Sequence, residues 1–241
     1  MREWQEFRLK VTGTKRMAEG RTIRSFVKRT GRMTAAQRRA LGDLWPQFGV
    51  HFSHAALDLD QVFGRHAPRV VEIGFGNGES LVEQAAANPQ LDFLGIEVHE
   101  PGVGHCLLLA RQSNVSNLRI IVRDAVEVLE SQITDSSLCR INLYFPDPWP
   151  KKRHHKRRIL QPSFLGLVAR KLVSGGTLHI ATDWENYALH IDELLASDGH
   201  FRTAERREHA GENALDRPAT KFEKRGLGRG HRIWDWRLKR N

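Results

Sequence analysis

From residue 69 onward, short apolar runs alternate with longer stretches of helical periodicity, and this alternation limits the possible folds more than any other feature. It is typical of βαβ units, in which helices connect parallel strands. The predicted strands are residues 69–73, 92–97, 118–123, 138–145 and 176–181, and the predicted helices lie near 79–88, 102–112, 125–131, 162–173 and 184–196. Two later runs, 201–208 and 231–238, alternate in polarity and predict an antiparallel addition at one sheet edge. We therefore predict an α/β fold with a mostly parallel sheet and helices on both faces.

The first 33 residues differ from the rest of the chain. They carry ten Lys or Arg against three Glu and have no sustained periodicity, so we predict a flexible basic arm over 1–33 and one domain over 34–241. Thr34 is a predicted N-cap of a helix that reaches about Leu44 and is broken by Pro46. A chain of 241 residues with 40% hydrophobic content suffices for one sizeable core.

The net charge of +10 is concentrated in three segments. Besides the arm, residues 151–158 carry six Lys or Arg and no acid, and residues 221–241 carry eight against two acids. The remainder of the chain is net acidic. Such segregation favours one polyanionic partner, because clustered Lys and Arg displace counterions from a phosphate backbone.

The cysteines and the hydropathy indicate the compartment. Cys106 and Cys139 are far apart and lack metal-ligand spacing, so neither a disulfide framework nor a metal site is predicted. No stretch approaches the roughly 20 apolar residues of a membrane helix, and the N-terminus lacks a signal peptide's apolar centre. We expect a soluble cytoplasmic protein with no membrane association.

A glycine-rich segment, Glu-Ile-Gly-Phe-Gly-Asn-Gly-Glu at 72–79, joins the first predicted strand to the first predicted helix of the sheet. Glycines such as Gly74 allow backbone to approach a ligand closely. A dinucleotide site would place its third glycine where this chain has Glu79, whose charge repels a phosphate. Glu72 adds a second negative charge. The segment therefore favours a cationic ligand, and S-adenosylmethionine carries both a sulfonium and an ammonium group.

Acidic residues also end the second and third predicted strands. Glu97 is placed to accept hydrogen bonds from two ribose hydroxyls, and Asp124 from an adenine amino group. Each acid alone is also consistent with simple capping of the following helix. Acids at three successive strand ends favour a shared ligand.

The fourth predicted strand leads into Pro-Asp-Pro-Trp-Pro-Lys-Lys at 146–152 and a basic run that ends at Arg158. The prolines forbid regular structure and fix Asp147 and Trp149 at the strand's carboxyl end, where α/β proteins bind ligands. An acid and an aromatic ring beside dense positive charge are typical of a nucleic-acid-modifying site. The alternative is a stiff turn before a solvated charged surface. Trp149 is consistent with stacking on a base or with packing inside the loop.

Two further segments complete the predicted site. Asp183 follows the fifth predicted strand, where it can reach a base edge or cap the next helix. Thr-Lys-Phe-Glu at 220–223, followed by the glycine-rich segment 225–230, predicts a mobile lid near the site, or else an ordinary flexible basic loop.

Five motifs occur in order along the chain: Glu-Ile-Gly-Phe-Gly-Asn-Gly, Gly-Ile-Glu-Val, Phe-Pro-Asp-Pro-Trp-Pro-Lys-Lys-Arg-His-His-Lys-Arg-Arg, Ala-Thr-Asp-Trp and Thr-Lys-Phe-Glu. With these motifs the chain resembles the bacterial tRNA (guanine-7-)-methyltransferase family over about residues 23–236. The resemblance implies a Rossmann-like class I methyltransferase fold, S-adenosylmethionine as cofactor and tRNA as partner. It also implies methyl transfer to N7 of the guanine at position 46, in the variable loop of tRNA. It leaves open a monomer or a homodimer and shows no obligate partner subunit.

The resemblance assigns roles to individual residues. It implies that Glu72, Glu97, Asp124 and Asp147 contact the cofactor and that Asp147 is also catalytic. It implies substrate contacts for Lys151, Asp183, Thr220, Lys221, Phe222 and Glu223. The basic run supplies six candidates for phosphate contacts: Lys151, Lys152, Arg153, Lys156, Arg157 and Arg158. His154 and His155 are read as solvated neighbours and not as proton-transfer groups.

Three other classes remain alternatives. A non-catalytic RNA-binding module on the same scaffold would not need the three strand-end acids. A nicotinamide-dependent oxidoreductase is disfavoured by Glu79 and by the basic run. An enzyme that methylates an amino group uses a similar fourth-strand loop, with Asn or Asp before Pro-Pro and an aromatic residue, whereas this chain has Asp147-Pro148-Trp149.

Overall fold

The computed structural model describes residues 25–26, 31–211 and 215–241, and its centre is a seven-stranded sheet. The strands are β1 (Arg69–Ile73), β2 (Asp92–Glu97), β3 (Leu118–Val122), β4 (Leu138–Tyr144), β5 (Leu172–Thr182), β6 (Phe201–His209) and β7 (Ile233–Arg240), in the order β3-β2-β1-β4-β5-β7-β6. The first five are parallel, and β7 runs antiparallel to both β5 and β6. The predicted parallel sheet and its antiparallel C-terminal addition are therefore confirmed.

Helices pack on both faces of this sheet. They are α1 (Ala35–Asp43), α2 (Trp45–Phe48), α3 (Leu59–Phe63), α4 (Glu79–Ala87), α5 (Glu100–Gln112), α6 (Ala125–Ser131), α7 (Pro162–Lys171), α8 (Glu185–Ala196) and α9 (Lys221–Leu227), with a 3-10 helix at Lys152–Arg157. No helix in the described ranges is both long and apolar enough to cross a membrane.

Alternation of side chains along the strands produces two hydrophobic cores. Val71, with its register partners Leu94 and Ile141, lies in the core formed with α6, α7 and α8. Val70 and its partner Phe93 lie in the core formed with α1, α4 and α5. Every residue of β1 and β2 is buried. Because successive strand residues face opposite sides, both faces of the sheet are covered at these strands.

Two local predictions turn out differently. Thr34 caps α1 in a capping box with Gln37, and α1 ends at Asp43 with Leu44 as its C-cap, as predicted. Pro46, however, does not stop helical structure, since it lies in the first turn of α2. The predicted fifth strand starts too late, since β5 begins at Leu172 directly after α7. Gly175, at φ +70°, lies in an irregular exposed part of that strand, so the glycine pair bends the strand and does not precede it.

The carboxyl ends of β1, β2, β3, β4 and β5 meet at one edge of the sheet, and this edge carries the predicted site. Of the predicted arm, residues 1–24 and 27–30 lie outside the described residues. The division into an arm and a domain at residue 33 remains a prediction.

Candidate active site

The glycine loop between β1 and α4 adopts a conformation that favours glycine at three positions. Gly74, Gly76 and Gly78 have φ values of +72°, +61° and +87°. A Cβ on Gly78 would lie 2.3 Å from the Cys106 sulfur, so the loop packs closely on α5. Among the described residues, apart from the chain neighbours of Gly74, no atom lies within 4 Å of a Cβ built on Gly74. The loop is thus packed against α5 at Gly78, and its backbone is accessible at Gly74.

Glu97, the last residue of β2, holds this loop through its carboxylate. Oε2 accepts the N–H of Gly76 at 2.9 Å, and Oε1 accepts those of Val98 at 2.6 Å and His99 at 2.9 Å. Burial raises the pKa of Glu97, and the three backbone hydrogen bonds oppose that rise. Glu97 therefore orients the glycine loop as well as the start of α5, which is more than simple helix capping.

Asp124, after β3, caps a helix as the alternative reading of the sequence proposes. Its Oδ1 accepts the N–H of Val126 at 2.8 Å and that of Glu127 at 3.3 Å, in the first turn of α6. The side chain is half-buried at the same edge of the sheet as Glu97. Capping fixes the carboxylate and does not conflict with the predicted adenine contact, which remains a prediction.

Glu72 lies inside the protein, with 3% of its surface exposed. Its Oε2 accepts a hydrogen bond from Gln84 Nε2 of α4 at 3.0 Å. Burial raises the pKa of Glu72 to about 7, against the opposing effect of hydrogen bonds from Asn142 and Gln84. Glu72 is therefore enclosed beneath the glycine loop, and its predicted contact with the cofactor stays a prediction.

The loop after β4 is kept in an unusual conformation by its neighbours. Phe145 and Trp149 have φ values of +50° and +45°, which are uncommon for residues with side chains. Asp147 lies between them and is exposed. The Trp149 Nε1 donates to the Ser25 carbonyl at 3.0 Å, and the Arg157 guanidinium lies 3.9 Å from the centre of the indole. Trp149 thus packs within the protein, which favours the second of its two readings.

Arg158 was predicted to contact phosphate, but only 2% of its surface is exposed. Its Nε donates to the Pro148 carbonyl at 2.9 Å, and a terminal nitrogen donates to Asn186 Oδ1 at 2.6 Å. Its guanidinium also lies over the Tyr187 ring. Arg158 therefore fixes the loop of Asp147 from inside. Lys151, Lys152, Arg153 and Lys156 are exposed on and beside the 3-10 helix.

The predicted lid segment lies against the glycine loop. Thr220 and Glu223 form the capping box that starts α9. Phe222 is 40% exposed, and its Cε2 lies 3.5 Å from a Cβ built on Gly76. Lys221 is exposed beside it. The segment with predicted substrate contacts is therefore adjacent to the loop with predicted cofactor contacts.

Asp183 joins the same cluster from the end of β5. Its Oδ2 lies 3.3 Å from His231 Nδ1, and a Cβ on Gly226 of α9 would lie 2.8 Å from the same oxygen. Asp183 does not cap α8, whose N-cap residue is Trp184. Close packing on Gly226 places the carboxylate against the C-terminal half of α9, which is called the lid helix below.

Glu223 is buried, in an ion pair with Arg217, and Arg217 is also paired with Asp235 of β7. Neither Arg217 nor Asp235 is among the site residues predicted from the sequence. The available signal is Asp235 itself, an acid between two tryptophans in an apolar alternating strand. Among residues 25–26, 31–211 and 215–241, no three His, Cys, Asp or Glu side chains are grouped so that they could hold a metal ion.

Comparison with known proteins agrees with this geometry. A family model described as "Putative methyltransferase" matches residues 66–236. The fold resembles that of the 16S rRNA methyltransferase KamB, with a TM-score of 0.59 and 16% identity over 77% of this chain and 94% of the other. It also resembles an antibiotic-related methyltransferase, with a TM-score of 0.57 and 14% identity over 80% of this chain and 96% of the other. The sheet order, the glycine loop and these likenesses define a Rossmann-like class I methyltransferase.

Curated relatives are much more similar in sequence. The chain is 53% identical over 225 residues to the tRNA (guanine-N(7)-)-methyltransferase of Halorhodospira halophila, covering 91% of this chain and 95% of the relative. It is 54% identical over 218 residues to that of Alkalilimnicola ehrlichii, covering 89% and 91%. The chain belongs to the tRNA (guanine-N(7)-)-methyltransferase family, as its motifs predict.

Proposed function

We propose that this protein transfers a methyl group from S-adenosylmethionine to N7 of the guanine at position 46, in the variable loop of tRNA. Relatives more than 50% identical over about nine-tenths of the chain are named as tRNA (guanine-N(7)-)-methyltransferases, which supports the reaction and the substrate class. The structural support is the position of Phe222 beside the glycine loop, where its Cε2 lies 3.5 Å from a Cβ built on Gly76. It joins a predicted tRNA-binding segment to a predicted cofactor-binding loop. Position 46 follows from the motif resemblance.

The residues at the sheet edge fit S-adenosylmethionine, which supplies an electrophilic methyl group on a sulfonium. The part of the chain that the structure describes leaves space beside Gly74, which admits a ligand against bare backbone. Glu97 uses three backbone hydrogen bonds, and a carboxylate offers about four acceptor sites, so it has capacity for a ribose hydroxyl. Asp124 is the residue for the adenine amino group.

Asp147 acts on the guanine in this proposal. N7 of guanine has an in-plane lone pair, so methylation needs no prior deprotonation, and positioning of the base is the main requirement. Positive charge accumulates on the purine during transfer, and a carboxylate beside it stabilises that charge. The Asp147 carboxylate can also accept from the guanine N1–H and amino group, which adenine does not offer in the same pattern. Its exposure on a constrained loop at the end of β4 suits both roles.

The exposed cations beside this loop bind the tRNA backbone. Lys151, Lys152, Arg153 and Lys156 extend from the 3-10 helix and its N-cap, next to the base-binding loop. Phosphate contacts of this kind position the nucleic acid and carry no sequence information themselves. Selection of one guanine therefore depends on the Asp147 loop and on the shape of the tRNA.

Substitution of the target base tests the proposal. Unmodified tRNA and the same tRNA with adenine at position 46 are incubated with labelled S-adenosylmethionine and the protein. We expect label in the first tRNA and background in the second. Equal labelling of both would contradict position 46. Binding of both tRNAs without any labelling would favour the RNA-binding module.

A further inference from the structure

A buried ion cluster connects the two loops of the candidate site to the sheet. The Arg217 side chain is fully buried, and its Nε and one terminal nitrogen donate to the two oxygens of Asp235, each at 2.8 Å. Its other terminal nitrogen is paired with Glu223 of α9. Asp235 lies on β7 and is also completely buried. One guanidinium therefore joins β7, the strand next to the edge strand β6, to α9.

Asp235 is held in place by further strands. His179 of β5 and His209 of β6 each place Nε2 at 3.2 Å from one of its oxygens. The Tyr144 hydroxyl lies 3.1 Å from His179 Nδ1, so the hydrogen-bond chain reaches the end of β4. Burial would raise the pKa of Asp235, but the hydrogen bonds and charges of His179 and Arg217 hold it well below its usual range. The carboxylate is a fixed charged acceptor.

Arg217 also contacts the start of the Asp147 loop. Its guanidinium lies 5.3 Å from the Tyr144 ring centre and 5.4 Å from that of Phe145. Phe145 has a φ of +50° and precedes Asp147 by two residues. Glu223 directly follows Phe222, whose ring lies beside the glycine loop at Gly76. The cluster therefore contacts both the Asp147 loop and the segment above the glycine loop.

Burial of charges at this place needs a reason other than stability. Removing ions from water is costly, and apolar residues of similar volume often stabilise a protein equally well. A planar guanidinium with a fixed fork of donors instead sets direction and distance between its partners. We propose that Arg217 is a positioning residue, which fixes α9 and the Asp147 loop relative to one another for methyl transfer. The inference rests on the proposed function.

Arg217→Lys tests this role, because lysine keeps the charge and loses the fork. Arg206→Lys is the matched control, since Arg206 makes a two-point ion pair with Asp192 but is partly exposed. Three quantities are measured: kcat per cofactor-binding site, the Kd of S-adenosylmethionine by calorimetry, and trypsin cleavage after Lys221, Lys224 and Arg225, mapped by mass spectrometry without tRNA.

For Arg217→Lys we expect kcat to fall by roughly tenfold or more, because misplacement by about 1 Å has effects of this size. We expect the cofactor Kd to stay unchanged and trypsin to cleave α9 faster. The control should match the wild type in all three. An unchanged kcat per cofactor-binding site in folded Arg217→Lys would overturn the proposal, and so would a cofactor Kd that weakens as much as kcat falls.

Glu223→Gln covers the case in which Arg217→Lys does not fold, since it leaves the pair of Arg217 and Asp235 intact. Faster cleavage of α9 in this variant supports the anchoring role without involving substrate, and wild-type cleavage contradicts it. If the wild type itself transfers no methyl group to tRNA, the proposed function fails. The cleavage comparison then decides the anchoring of α9 by itself.

Discussion

The Trp149 indole donates a hydrogen bond to the backbone carbonyl of Ser25 at 3.0 Å, which ties the Asp147 loop to a residue near the start of the chain. The Arg157 guanidinium lies over the same ring, and it also donates to the Phe26 carbonyl at 3.4 Å. The aromatic ring of the motif is thus engaged inside the protein. Its position explains how a loop with two positive φ values keeps one conformation.

Trp149→Phe removes the N–H donor and keeps a ring under Arg157. We expect the free energy of unfolding to fall by about 0.5–1.5 kcal/mol, the usual net contribution of one hydrogen bond. The KM for tRNA should not change. Urea denaturation and steady-state kinetics measure both quantities. An unchanged stability together with a raised KM would show that Trp149 stacks on the RNA.

Glu97→Ala removes the acceptor that holds the Gly76 N–H and, in the proposal, a ribose hydroxyl. Hydrogen bonds to charged groups contribute about 1.5–3 kcal/mol, so the affinity for S-adenosylmethionine should fall roughly tenfold or more. Calorimetry measures the change, with the exposed Glu130→Ala as control. An unchanged affinity of Glu97→Ala for S-adenosylmethionine would show that Glu97 does not bind the cofactor.

The raised pKa of Glu72 predicts a specific dependence of stability on pH. With a pKa near 4.5 when unfolded and about 7 when folded, Glu72 binds more protons in the native state between these values. Its contribution to stability therefore decreases as pH rises from about 4.5 to 7. Glu72→Gln removes the titrating group, so its stability should fall less between pH 5 and pH 8 than that of the wild type, by about 2–3 kcal/mol.

Urea denaturation of both proteins at the two pH values makes this measurement. Differences in Asp235 and other groups cancel, because they are present in both proteins. An identical loss of stability in wild type and Glu72→Gln would show that Glu72 is not protonated in the folded protein near neutral pH.

The exposed lysines of the lid helix should bind tRNA phosphates. In a variant with Lys221→Ala and Lys224→Ala, affinity for tRNA should fall and the slope of log K against log salt should flatten by about 0.7–0.9 per lost contact. Arg202→Ala is the control, since Arg202 is exposed on β6 opposite Lys239, away from the candidate site. Filter binding at several salt concentrations gives both slopes. Equal slopes of log K against log salt for the lid variant and the wild type would exclude phosphate contacts by these lysines.

Local patterns predicted the parallel part of the fold well. The prediction for β1, residues 69–73, agrees with Arg69–Ile73, because a buried apolar run between a loop and a glycine turn is a complete local signal. The prediction for β5 started late, because Gly175 and Gly176 read as a turn while pairing of Leu172 with Leu138 keeps the strand continuous. Pairing between distant strands leaves no such local mark.

Site residues differ in how visible they are in the sequence. Asp147 follows a strand and precedes a basic run, so its position is visible in sequence. Arg217 and Asp235 are 18 residues apart in the sequence. Asp235 lies between two tryptophans, which hints at its burial, but no local pattern indicates that it pairs with Arg217. Arg158 belongs to a basic run that looks fully solvated, yet it turns inward to Pro148 and Asn186. Only the packed structure separates it from its exposed neighbours.

Chemical mapping of the methylated base locates the atom and the nucleotide to which the methyl group is transferred. Unmodified tRNA is methylated with the wild type or with Asp147→Ala and then treated with borohydride and aniline, which cleave RNA at 7-methylguanosine. We predict one cut, at position 46 in the variable loop, with the wild type and none with Asp147→Ala, while the variant still binds S-adenosylmethionine. Cleavage elsewhere, or an equal cut with Asp147→Ala, would contradict the account.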